Sequence, residues 1–140
     1  MISITVAPLS DNDIIQPSRA ANINTGKAMY HGTRNESFSF FPAICFTESQ
    51  SAASAYGPYL HTVEINRSVL SVLTIEMTRD ELRDAIDNQE WPCDRDADIA
   101  QRIADGYTAV AYTDCDESGR AHDCIRILTA EAFAAAVRLA

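Results

Sequence analysis

Three short stretches of this sequence carry residue types able to do chemistry. Tyr30-His31-Gly32-Thr33 joins a histidine, which can donate a directed hydrogen bond, to a glycine that lets a flat ligand come close to the backbone. The plain alternative is a strand-terminal histidine beside a turn glycine. Cys45-Phe46-Thr47 leads into a short Ala-rich stretch ending at Tyr56, next to Gly57. An aromatic ring there can serve as a stacking wall for an aromatic ligand, or it can be an ordinary core tyrosine. Asp123 heads Asp123-Cys124-Ile125-Arg126-Ile127-Leu128, where a period of two puts its carboxylate on the face of Ile125 and Ile127. A carboxylate leading a buried face needs hydrogen-bond donors around it, either in a turn or at the rim of a cleft.

The four cysteines, Cys45, Cys93, Cys115 and Cys124, include no Cys-x-x-Cys pair, and nothing in their spacing calls for an oxidising compartment. The one cluster that could hold zinc is Cys115, His122 and Cys124, with Cys93 or His61 as a distant fourth ligand. That spacing matches no familiar site, so the thiols read as free and buried, and no metal ligand is assigned.

The elements that must position these residues follow from periodicity and capping signals. Residues 2–6 alternate as a strand, and 8–26 have loop composition. Strands are predicted over 28–31, ended by Gly32, over 43–46, and over 60–65 and 69–75 around an Asn66-Arg67-Ser68 turn. Thr47 to Gln50 has capping-box spacing and predicts a helix over 48–56, stopped by Gly57-Pro58. Thr78 with Glu81 is a second box, opening a helix with Leu82, Ala85 and Ile86 on one face. A third helix, 96–105, presents Ile99 and Ile103 and ends at Gly106. Strands over 107–112 and 123–128 flank an acidic loop at 114–119, and Thr129 caps a last Ala-rich helix. With no repeat or linker in sight, residues 1–140 are expected to form one α+β domain.

Composition narrows the function classes. The chain has 140 residues, 11 Lys+Arg and 20 Asp+Glu, for a net charge of −9. So few cations disfavour direct nucleic-acid binding, whereas an acidic surface could meet a basic partner. No apolar run approaches the roughly 18 residues of a spanning helix, so no membrane association is expected. The start, Met1-Ile2-Ser3-Ile4-Thr5-Val6, lacks a basic leader, and the expected location is the cytoplasm.

Taken in order, the motifs resemble the His–Tyr–acid branch of the ADP-ribosyltransferase fold. Tyr30-His31-Gly32-Thr33 matches its first strand, Cys45-Phe46-Thr47 a strand ending in Phe-Thr, and Ala53-Ser54-Ala55-Tyr56 its Ala-x-x-Tyr helix. Gly106-Tyr107 matches its Gly-Tyr-led strand and Asp123-Cys124-Ile125 its acid-led strand, so the likeness spans about residues 28–128. Among small members, the chain is similar to phage anti-CRISPR ADP-ribosyltransferases, which also carry an aspartate as the acid.

The resemblance implies split antiparallel sheets with short flanking helices, NAD+ as substrate and transfer of ADP-ribose to a protein target, such as a nucleic-acid-binding complex in a host cytoplasm. It implies that His31 bonds a ribose, the Gly32 backbone holds the nicotinamide amide, Thr33 and Thr47 support the pocket, and Tyr56 stacks on the nicotinamide. Asp123 takes the place of the acid, where the family usually has glutamate, and Asp114, Asp116 and Glu117 are the alternatives. The non-enzymatic alternative is an acidic inhibitor that occupies a basic nucleic-acid channel. An RNA 2′-phosphotransferase on the same fold ranks last, for want of basic residues to grip phosphate.

Overall fold

A computed structural model describes residues 14–15, 28–115 and 121–139. The expected strand at 2–6, most of the 8–26 loop, and Asp116 and Glu117 lie outside the described residues. In chain order the elements are β1 (Ile14–Ile15), β2 (Ala28–Thr33), β3 (Ile44–Thr47), α1 (Gln50–Ser54), β4 (Tyr59–Ile65), β5 (Val72–Ile75), β6 (Met77–Thr78), α2 (Arg79–Asn88), α3 (Asp96–Ala104), β7 (Ala109–Cys115), β8 (Ala121–Ile127), α4 (Ala130–Ala136) and β9 (Val137–Leu139). Among the described residues, seven strands form one sheet in the order β5-β7-β8-β3-β2-β4-β9, and β1 pairs with β6 apart from it. Only β5 and β7 run parallel. The chain is therefore α+β, with a mostly antiparallel sheet and four short helices.

Both faces of the sheet are covered. Ile44, Phe46, Val63, Ile125 and Ile127 point to one side, where Ala132 and Ala136 of α4 complete the cluster. Val110, Tyr112 and Cys124 point to the other, where Leu82 of α2 and Ile99 of α3 meet them. Of the other members of the two predicted apolar helix faces, Ala85 is buried, whereas Ile86 and Ile103 are exposed.

The middle of the sheet is its weakest seam. β2 and β4 are in register over six pairs and β3 and β8 over four, but β2 and β3 share one, Tyr30↔Thr47. Beyond that pair the two strands part, and the His31 ring nitrogen Nδ1 sits 2.9 Å from the Cys45 carbonyl oxygen across the gap.

Several predicted boundaries move. Gly32 does not end its strand: it pairs with Leu60, and β2 runs on to Thr33. The box expected at Thr47 is absent, since Ser49 is the N-cap, accepting from the Ala52 amide, and α1 is only Gln50–Ser54. The box at Thr78 and Glu81 forms in both directions, and Thr129 caps α4. The strand expected from 69 starts at Val72, after a 3-10 turn over Arg67–Val69 that Asn66 caps. The strand expected over 107–112 is Ala109–Cys115, so Asp114 lies in β7 and not in the acidic loop. The strand expected over 123–128 is Ala121–Ile127.

Candidate functional site

Where β2 and β3 part, a cleft of about 840 Å3 opens. That is a size suited to a small organic ligand or cofactor, for which about 300–1,000 Å3 is usual. Tyr30, His31, Gly32 and Thr33 of β2 form one wall, with Ala52, Ala55 and Tyr56 from α1 and its end above them. Cys45 and Thr47 of β3, His122, Cys124 and Arg126 of β8, and Tyr112 and Asp114 of β7 form the floor. The floor is a consequence of pleating. Thr47↔Cys124, Tyr112↔Cys124, Cys45↔Arg126 and Asp114↔His122 are directly opposed pairs, so their side chains share one face.

Gly32 is needed for packing as well as for any ligand. A Cβ built on it would lie 1.7 Å from the Ala53 carbonyl oxygen, so only glycine lets α1 lie this close to β2. Gly57 plays a matching part just past the same end of α1, where a Cβ would come within 2.3 Å of the Thr33 carbonyl group. These two contacts hold Tyr56 over the cleft. It is not a core residue: it is 71% exposed while lining the cavity. Desolvation at the cleft mouth, then the nearby Cys45 and Asp114, push its phenol pKa up.

Thr47 is buried, and its Oγ1 lies 2.7 Å from His122 Nδ1 while accepting a hydrogen bond from the Ser49 amide. Arg126 crosses the far end of the floor. It pairs with Asp94 at 2.7 Å, donates to the Tyr112 hydroxyl and the Ala43 carbonyl, and lies over the Tyr112 ring. The Cys45 thiol pKa is lowered to about 7, chiefly by its hydrogen bond with Cys124, against a burial that raises it, with Arg126 and Tyr112 assisting. Burial lowers the His31 pKa, opposed by its bond to the Cys45 carbonyl and reinforced by His61.

Asp123 is not among the residues lining the cleft. As the period of two requires, it shares the face of Ile125 and Ile127, 3% exposed, with Thr113 Oγ1 donating to its carboxylate at 3.4 Å. Its amide donates to the Glu48 carboxylate, and its carbonyl accepts from the Glu48 amide. Arg67 is near enough to feel its charge, which partly offsets the desolvation that lowers the Arg67 pKa. Among the described residues, the one carboxylate lining the cleft is Asp114. His31, Gly32, Thr33, Thr47, Tyr56 and Asp114 thus share one cavity.

Cys45, Tyr112, His122, Cys124 and Arg126 also line the cleft, and the sequence alone does not mark them as lining residues. A signal for three of them is present: in Cys124-Ile125-Arg126-Ile127 the thiol and the cation alternate with isoleucines, and His122 falls in phase with them although Asp123 interrupts the apolar set. Such a face reads as solvent-facing until a second strand and a helix end are known to roof it. Comparisons with protein-family models, with curated proteins and with solved structures give no match.

Proposed function

We propose that the protein is a mono-ADP-ribosyltransferase of the His–Tyr–acid type that acts on a protein target in the cytoplasm, with Asp114 as its acid. The observation that carries this reading is that Asp114 lines one cleft with His31, Gly32 and Tyr56, whereas Asp123 lies beneath the sheet. The parting of β2 from β3 after Tyr30↔Thr47 suits the split sheets of that fold. The exposed Tyr56 ring on the cleft wall supports a stacking role toward nicotinamide, and residues 30–33 of β2 line the same cleft, as binding of its amide and ribose requires.

The chemistry is displacement at the ribose carbon that carries nicotinamide. Its transition state resembles an oxocarbenium ion, as in glycoside hydrolysis. A carboxylate beside the ribose stabilises the developing positive charge and orients the incoming nucleophile, and the stacked ring fixes the leaving-group axis. The bond from ribose to nicotinamide breaks, the bond from ribose to the target side chain forms, and nicotinamide leaves with the bonding pair.

Incubation of the purified chain with labelled NAD+ and a bacterial lysate tests this. A labelled protein band together with released nicotinamide is expected, and its loss in Asp114→Asn. Failure of the wild-type chain to consume NAD+ overturns the reading.

The second reading, an acidic inhibitor of a basic nucleic-acid-binding protein, is favoured by a groove of about 550 Å3 along α2 and α3 whose lining has five carboxylates, Glu81, Asp84, Glu90, Asp94 and Asp98, against one cation, Arg95, which pairs with Glu90 while Asp94 pairs with Arg126. It requires binding to a basic partner that weakens steeply with salt and ignores NAD+.

A further inference from the structure

We infer that Asp114, His122 and Cys124 form a binding site for a thiophilic divalent cation of the Zn2+ class on the floor of the cleft. Three donors of different chemistry converge there. One ligand atom from each, a carboxylate oxygen, an imidazole nitrogen and a thiol sulfur, lies within 4.8 Å of the other two. The convergence is built into the ladder: Asp114 directly opposes His122, and Cys124 follows His122 by two residues on the same face of β8. Sequence spacing alone assigns no metal ligand; this cluster contains His122 and Cys124 of the set considered there, with Asp114 from the neighbouring strand. Of the more distant candidates, Cys93 packs in the apolar cluster with Trp91, and the His61 ring lies against Phe38.

The nitrogen–sulfur distance fits the ion. His122 Nδ1 is 3.5 Å from Cys124 Sγ. Zinc–nitrogen and zinc–sulfur bonds of about 2.0–2.1 and 2.3 Å at a tetrahedral angle put those two atoms roughly 3.5 Å apart. A metal on Nδ1 takes the place of the Thr47 hydroxyl, which keeps its bond from the Ser49 amide. A thiolate and an imidazole select a borderline or soft cation, while magnesium and calcium want an oxygen-rich shell that one carboxylate does not supply. With Cys124 and Asp114 both anionic and His122 neutral, the three ligands balance a 2+ charge, and the Cys124 proton passes to the solvent. All three residues line the cleft, and a water or an external donor from it would complete the tetrahedron, as in three-ligand zinc sites.

This inference does not depend on the proposed function. Under that function it adds a consequence: the cation and the ribose compete for Asp114, so the metal inhibits transfer.

The test is a titration of the untagged, reduced, metal-free chain with Co2+, read by absorbance, followed by displacement with Zn2+. Expected are one equivalent bound, a thiolate-to-cobalt charge-transfer band with the visible bands of tetrahedral cobalt, and bleaching by Zn2+. Cys124→Ser should remove the charge-transfer band, and His122→Asn should weaken Co2+ binding by about tenfold or more. Cys45→Ser, whose thiol adjoins the cluster without belonging to it, should keep the band. No band in the wild-type chain overturns the inference, whatever the variants do. So does a band that survives Cys124→Ser or disappears in Cys45→Ser alone. Because the readout needs no NAD+, a chain without transferase activity can still bind cobalt, and an active one can fail to.

Discussion

Asp114 and Asp123 stand on neighbouring strands with their side chains on opposite faces of the sheet. Asp114 opposes His122 and lines the cleft; Asp123 opposes Thr113 and is sealed beneath. The same substitution should therefore have opposite effects at the two positions. Asp114→Asn should lower the rate of nicotinamide release by about 10²-fold or more, the usual loss when a charge-stabilising group is removed, with an unchanged melting temperature. Asp123→Asn should keep turnover per folded molecule and lose about 1–3 kcal/mol of stability, because a buried, hydrogen-bonded group is disturbed. Nicotinamide assays paired with thermal melts separate the outcomes, and loss of turnover in folded Asp123→Asn would return the acid's role to it.

Tyr56 is held over the cleft and makes little of the core, so its removal should be silent for folding. Tyr56→Ala is expected to change stability by no more than about 0.5 kcal/mol. It should weaken NAD+ binding by roughly tenfold, the worth of a lost aromatic stack together with its buried area. Calorimetric titration of NAD+ into wild-type and variant chains checks this, and equal affinities would take the stacking role away from Tyr56.

Gly32 makes the reverse case, a cleft residue whose substitution acts through packing. The added methyl of Gly32→Ala meets the Ala53 carbonyl oxygen at 1.7 Å, a backbone atom of α1 that cannot swing aside. The helix must lift off β2, at a cost of about 1–3 kcal/mol typical of overpacking, and Tyr56 moves with it. Chemical denaturation should show the loss. A variant as stable as wild type would mean that α1 is not seated on β2 as described.

What could be read in the sequence was whatever is decided locally. The Thr78–Glu81 box closes within four residues, and the Asn66 turn within three, so both were legible. The box at Thr47 failed because its hydroxyl is engaged by His122, 75 positions away, which leaves Ser49 to cap the helix. The acidic residues and glycine after Asp114 predict a loop there, yet its cross-strand pairing with His122 carries β7 past it to Cys115. The buried face of Asp123 was legible from its period of two; which face carries the cleft was not, since that depends on where β2 parts from β3.

His31 gives the chain a pH dependence with a defined sign. Burial, reinforced by the neighbouring His61, lowers its pKa below the ordinary 6.5, and the bond to the Cys45 carbonyl only partly restores it. The unfolded chain thus binds a proton more readily than the folded one. Its contribution to stability is complete above about pH 6.5 and is lost as the pH falls through the lowered folded-state value. Urea unfolding at pH 7.5 and at pH 5 should show the midpoint falling with acidification. His31→Gln, which keeps a donor for the Cys45 carbonyl without a titrating ring, should show a shallower fall. Removing the second histidine by His61→Gln should make the loss from His31 smaller and complete it at a higher pH, because it relieves part of the repulsion that holds the His31 pKa down. Equal slopes in wild type and His31→Gln would assign the acid sensitivity to other groups.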